Sequence, residues 1–212
     1  EQWGDRVLLA HRVFAICIVA VMSAWMLLLL EVTSVPAAYA LAGASTAGCG
    51  AWLVFWVFVW VDPSAGLAQL SEFAFRDLVQ LQHLAIGALL GIAGLAELAF
   101  ASAVVAQTRA AALRRPLSLL CSGKWLHSVW FYAMAATGVI FVTHPQQAAF
   151  EIGQHVAIGL GVLFGAYTLS LEKRDGVEHD RSVCEAPGMI LAAVCFGVAA
   201  VVLFTFKVEH AE

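Results

Sequence analysis

Six runs of about 20 apolar residues dominate the chain, falling near 7–30, 38–61, 80–106, 125–143, 150–171 and 187–206. Each has the length needed to cross a hydrocarbon core of about 30 Å as a helix, the form that satisfies its own backbone in lipid. Between the runs lie polar and proline-containing breaks: Glu31 to Pro36, Asp62-Pro63-Ser64, Arg114-Arg115-Pro116, His144-Pro145, and a charged stretch from Glu172 to Glu185. The runs are too long and too uniformly apolar for the alternating strands of a membrane barrel. The pattern predicts an all-α, polytopic membrane bundle of six transmembrane helices, a single transmembrane domain over 1–212.

Composition agrees with this. Of the 212 residues, 62% are hydrophobic and 12% charged, with mean hydropathy +0.86. Soluble domains carry about twice that share of charge. The net charge of −4 comes without a basic face, so nucleic acid is excluded as a partner. The expected partners are the lipid bilayer and, through Trp-, Gly- and Ala-rich helix faces, other membrane proteins or further copies of the chain. The five cysteines Cys17, Cys49, Cys121, Cys184 and Cys195 show no Cys-x-x-Cys spacing, and the chain has no Gly-rich phosphate loop, serine elbow or His-Glu-x-x-His motif.

Counting Lys and Arg on the two sides of a six-span chain sets Arg6, Arg12, Arg76 and Lys207 against Arg109, Arg114, Arg115, Lys124, Lys173, Arg174 and Arg181. Positive residues favour the cytoplasmic side. The loops near Arg114 and Arg174 are therefore expected on the cytoplasmic-equivalent face, with both termini opposite, on the outer side. A first residue Glu1 rather than Met fits either a removed leading segment or numbering that begins within a longer chain.

The candidate chemistry lies in the histidines. Gln82-His83-Leu84-Ala85-Ile86-Gly87 and Gln154-His155-Val156-Ala157-Ile158-Gly159 agree at five of six positions, and His11, His83 and His155 are spaced by 72 residues. This predicts three related helical hairpins whose first helices run parallel. The fourth run ends at His144, so His11, His83, His144 and His155 share one depth near the outer face, with Glu151 one turn before His155. Ionisable groups at such depth usually face the bundle interior, and imidazole is both a common metal ligand and an axial ligand of haem. Gly87 and Gly159, one turn beyond two of these histidines, would leave room for a flat macrocycle. Alternatively, Gly87 with Gly91, and Gly161 with Gly165, are small-x-x-x-small pairs of the kind that let helices approach. Glu97, the one acid deep in a span, lies about 21 Å beyond His83 at 1.5 Å per residue and is a candidate proton relay. Trp52, Trp56 and Trp60 with Phe55 and Phe58 suggest an interfacial aromatic belt, or packing against a cofactor. Cys121, Cys184, His127 and His179 on the inner side form a weaker candidate set.

Residues from about 79 to 172 resemble the transmembrane protein 45 family: His83 opens a Gly-rich helix, Glu97 comes late in it, the next helix ends at His144, and a short loop with Glu151 precedes His155. The chain has Gln82-His83 in place of a histidine pair and His144-Pro145 in place of a His-x-His element. The resemblance implies a multi-pass protein, without an activity. From the residues, two function classes are expected. One is an outer-side cluster of His83, His155, His11 and His144, with Glu151, binding haem b or a transition metal (copper, iron or zinc) for electron transfer or metal handling. The other is a non-catalytic accessory or assembly subunit of a membrane complex.

Overall fold

The computed structural model describes residues 2–57, 78–109, 124–144, 149–174 and 187–205, with six helices and, among these residues, no strand. They are α1 (Gln2–Leu29), α2 (Val35–Phe55), α3 (Leu78–Arg109), α4 (Lys124–Val142), α5 (Ala149–Arg174) and α6 (Pro187–Phe204). Five are long and apolar enough to cross a membrane, over Leu8–Leu29, Val35–Phe55, Gln80–Val105, Trp125–Val142 and Ala149–Ser170; the apolar part of α6, Gly188–Phe204, is shorter. All six predicted runs are helical. Within the second, residues 58–61 lie outside the described residues, as do Cys121, His179 and Cys184.

Two helix ends show the local chemistry. The second helix starts three residues before the predicted 38, because Pro36 stands in its first turn after the extended Ser34. Proline fits there because its missing N–H has no helical acceptor to lose. The first helix closes with Glu31 at φ 57, while the Glu31 N–H donates to Leu28 O and the Val32 N–H to Leu27 O. This is the left-handed exit that normally recruits glycine.

Each helix packs against its neighbours in sequence, and α6 packs back on α1, closing a ring. Large apolar side chains such as Ile16, Leu95, Tyr132, Phe164 and Val201 stay exposed on the perimeter, while His11, Gln80, Glu97, His144, Gln154 and His155 are buried. Lipid accepts the first set, and the second turns inward, away from it.

Glycine sets the closeness of two hairpins. A Cβ on Gly50 would stand 2.5 Å from Gly87 O and from Gly91 N, and one on Gly159 would stand 2.6 Å from Gly138 O. The α2–α3 and α4–α5 pairs are therefore in backbone contact at these points. Gly161 and Gly165 face α6 in the same manner, against Cys195 O and the Phe196 ring. Gly87 and Gly159 thus receive neighbouring helices, as small-residue stripes do.

Candidate functional site

The four histidines His11, His83, His144 and His155 come together at one end of the ring. His144 lies between two others, its ring centre 4.9 Å from that of His83, edge to face, and 4.9 Å from that of His155, nearly parallel. His11 meets His155 edge to face at 5.8 Å. His83 and His155, expected to approach one shared volume, thus do so through His144. His11, His144 and His155 are buried, and His83 is half-buried.

The surroundings fix two of the rings. The His155 Nδ1–H donates to Glu151 O at 2.9 Å, one turn back along α5. A carbonyl can only accept, so the proton sits on Nδ1 and the lone pair on Nε2. The His144 Nδ1–H donates to Gln82 Oε1 across the α3–α4 interface. Both are the hydrogen bonds that orient metal-ligating imidazoles. Glu151 serves here through its backbone carbonyl, with its carboxylate close enough to act on His155 electrostatically. His144 stands just past the end of α4. Burial, with the neighbouring His83, His155 and His11, pushes its pKa down to about 3, so it is neutral near pH 7.

Trp56 is a correction to the aromatic belt. It is buried, at 3% exposure, and its ring lies 5.4 Å from that of His83. Phe55 remains exposed, as a belt residue would, and Phe58 and Trp60 lie outside the described residues. Phe14 and Phe141 stack at 5.5 Å, and the Phe141 ring lies 6.2 Å from that of His155. Trp56 Nε1, Gln80 Oε1 and Gln154 Oε1, at this end of α2, α3 and α5, are buried polar atoms that no hydrogen bond within the described residues satisfies. Such atoms call for a water or ion partner.

The repeat is deeper than the histidine motif. Residues 72 apart play the same parts in α1, α3 and α5: Phe14, Ile86 and Ile158 are buried below the histidines, and Ile18, Leu90 and Val162 line one central cavity. The even helices carry a second spacing, of 88. Gly50 and Gly138 meet the post-histidine glycines, and six residues further on stand Trp56 against His83 and His144 against His155. Trp56 is thus the counterpart of His144. No sequence motif announces this, because the loops preceding α3 and α5 differ in length.

The opposite end holds a separate cluster. Tyr39 is buried against Trp25 at 4.7 Å and Phe100 at 4.4 Å, and His127 joins Phe100 at 4.6 Å. Glu97, at 2% exposure, has its Cβ against Gly43 and lies within electrostatic reach of Tyr39. The structure therefore places Glu97 near Tyr39, away from His11, His83, His144 and His155. Among the described residues, no group of three or more His, Cys, Asp or Glu side chains is placed to hold a metal ion. Comparisons with protein-family models, curated proteins and solved structures found no match to this chain.

Proposed function

We propose that this membrane bundle handles a transition-metal ion through His83, His144, His155 and His11. The observation that carries the reading is the contact of four imidazoles inside one end of the ring. Two imidazoles sharing an ion through bonds of about 2.0–2.1 Å have ring centres roughly 5–6 Å apart, the range seen here from 4.9 to 5.8 Å. Ligation requires the rings to turn from the contacts seen here so that their nitrogens converge on one ion. The Nδ1 hydrogen bonds of His144 and His155 favour the tautomer in which Nε2 ligates. An ion suits this spacing better than haem b, whose axial imidazoles stand on opposite faces of a macrocycle. A directly ligated ion in this reading serves metal handling. Glu97, with Tyr39 at the far end, is the group for proton movement coupled to it.

The test is binding of Cu(II) and Zn(II) to the purified full chain in detergent, read by calorimetry and metal analysis. His83→Ala and His155→Ala should each weaken binding by at least tenfold, and the double change should add little, since ligands of one site act as a unit. His127→Ala should leave binding intact. Unchanged affinity in the double variant refutes the assignment.

A further inference from the structure

The centre of the ring contains a cavity of about 30 Å³, to which all six helices contribute. That is room for a small ion or one or two waters. Its lining includes Cys17 of α1, Cys49 of α2 and Met134 of α4. The thiols of Cys17 and Cys49 share a hydrogen bond across the α1–α2 interface, and neither is in a disulfide. The one hydroxyl in the lining, on Thr46, donates to Ala42 O of its own helix at 2.8 Å. The lining has no carboxylate, lysine or arginine. Three sulfur atoms are therefore the donor set that this cavity presents, within an otherwise apolar wall.

We infer that Cys17, Cys49 and Met134 form a binding site for a soft monovalent metal ion, Cu(I) or Ag(I), in the core of the bundle. Thiolate and thioether sulfur select such ions over hard cations. Charge argues for the monovalent state. With Cys49 buried, Cys17 half-buried and no counterion in the lining, the dithiol is neutral; an incoming M⁺ forms an S–M bond to one cysteine as that thiol's S–H bond breaks, and one proton leaves to water. The site remains neutral and avoids the penalty for an uncompensated buried charge. Neither metal nor sulfur changes oxidation state. Cys17 lies six residues beyond His11 along α1, about 9 Å at 1.5 Å per residue, so the site sits one level deeper than the histidines. It stands on its own residues and does not depend on the histidine reading.

The experiment uses the full chain in detergent under reducing conditions, with Cys121, Cys184 and Cys195 replaced by Ser so that only Cys17 and Cys49 remain. Cu(I) is supplied from a chromophoric chelator and Ag(I) as the nitrate. One ion per chain should bind, releasing about one proton, with sulfur neighbours in the X-ray absorption spectrum. This signal should persist in His83→Ala/His155→Ala, which separates it from the histidine cluster. Adding Cys17→Ser with Cys49→Ser should lower affinity at least 100-fold. Because Cys49 is fully packed, Met134→Leu provides a volume-conserving second variant; it should cost about tenfold with size-exclusion behaviour unchanged. Equal affinity without the two cysteines, nitrogen or oxygen neighbours alone, or formation of a Cys17–Cys49 disulfide in place of metal binding would each overturn the inference.

Discussion

The imidazoles of His144 and His155 stack, with centres 4.9 Å apart and planes 26° from parallel. Two such rings can share the space when both are neutral, but adding a proton to each would set like charges face to face. With His83 on its other side, His144 is the residue at which this constraint is most severe.

The first prediction follows from that position. The pKa of His144 falls from an ordinary 6.5 to about 3 on folding. Between these values the unfolded chain binds a proton that the folded chain does not, so stability rises with pH and is lost as pH drops from about 6.5 toward 3. The acid limb should slope by up to about 1.4 kcal/mol per pH unit. In His144→Asn the slope should flatten. Thermal unfolding in detergent from pH 7.5 to 4 measures both, and equal slopes would remove His144 as the source.

Backbone contact makes the second prediction. A Cβ on Gly138 would stand 2.6 Å from Leu163 Cγ and 2.9 Å from Gly159 O, whereas one on Gly48 would have nothing within 4 Å. Gly138→Val should destabilise by about 1–3 kcal/mol, because helices in contact through backbone cannot admit a branched side chain without separating. Gly48→Ala, on an exposed helix face, should be neutral or stabilise by up to about 1 kcal/mol. The order of their thermal midpoints checks the assignment of these helix interfaces.

Sidedness gives the third. Seven Lys and Arg against four predict the loops with Arg114 and Arg174 on the cytoplasmic-equivalent face. Cys121 and Cys184 belong to those same two loops in sequence, so an impermeant maleimide should label both from that face in sealed vesicles. Labelling of both only from the opposite face would invert the orientation and put the histidine end on the cytoplasmic side.

The helices and the shared depth of the four histidines could be read from the sequence because both depend on length and order alone. Twenty apolar residues must cross lipid, and a chain that crosses repeatedly brings alternate ends to one level. What could not be read depends on rotation about each helix axis. Gly87 suits a cofactor or a helix equally by sequence, and only the structure shows Gly50 packed against it. Glu97 lay near the helical face of His83, yet 14 residues of rise put it beside Tyr39. Cys17 and Cys49 have no motif because they approach from different helices.

Trp56 allows the relationship between the two hairpins to be tested directly. In the α4–α5 pair, Gly138 meets Gly159, and His144, six residues on, stacks with His155. In the α2–α3 pair, Gly50 meets Gly87, and Trp56, six residues on, lies against His83. Trp56→His should therefore place an imidazole beside His83 as His144 stands beside His155, adding a ligand to the cluster. The exchange removes a large buried ring and should cost about 2–4 kcal/mol of stability through the cavity it leaves. Metal should return part of that loss, since a ligand bound only by the folded state stabilises it by mass action. The expected pattern is a lower thermal midpoint without metal, a larger metal-induced rise than in the parent, and affinity for Zn(II) at least tenfold higher. Trp56→Phe, which leaves a similar gap without a ligand, should show the lower midpoint and no gain in affinity. If the histidine and phenylalanine variants bind metal equally, position 56 is a packing site only, and its equivalence to position 144 does not extend to chemistry.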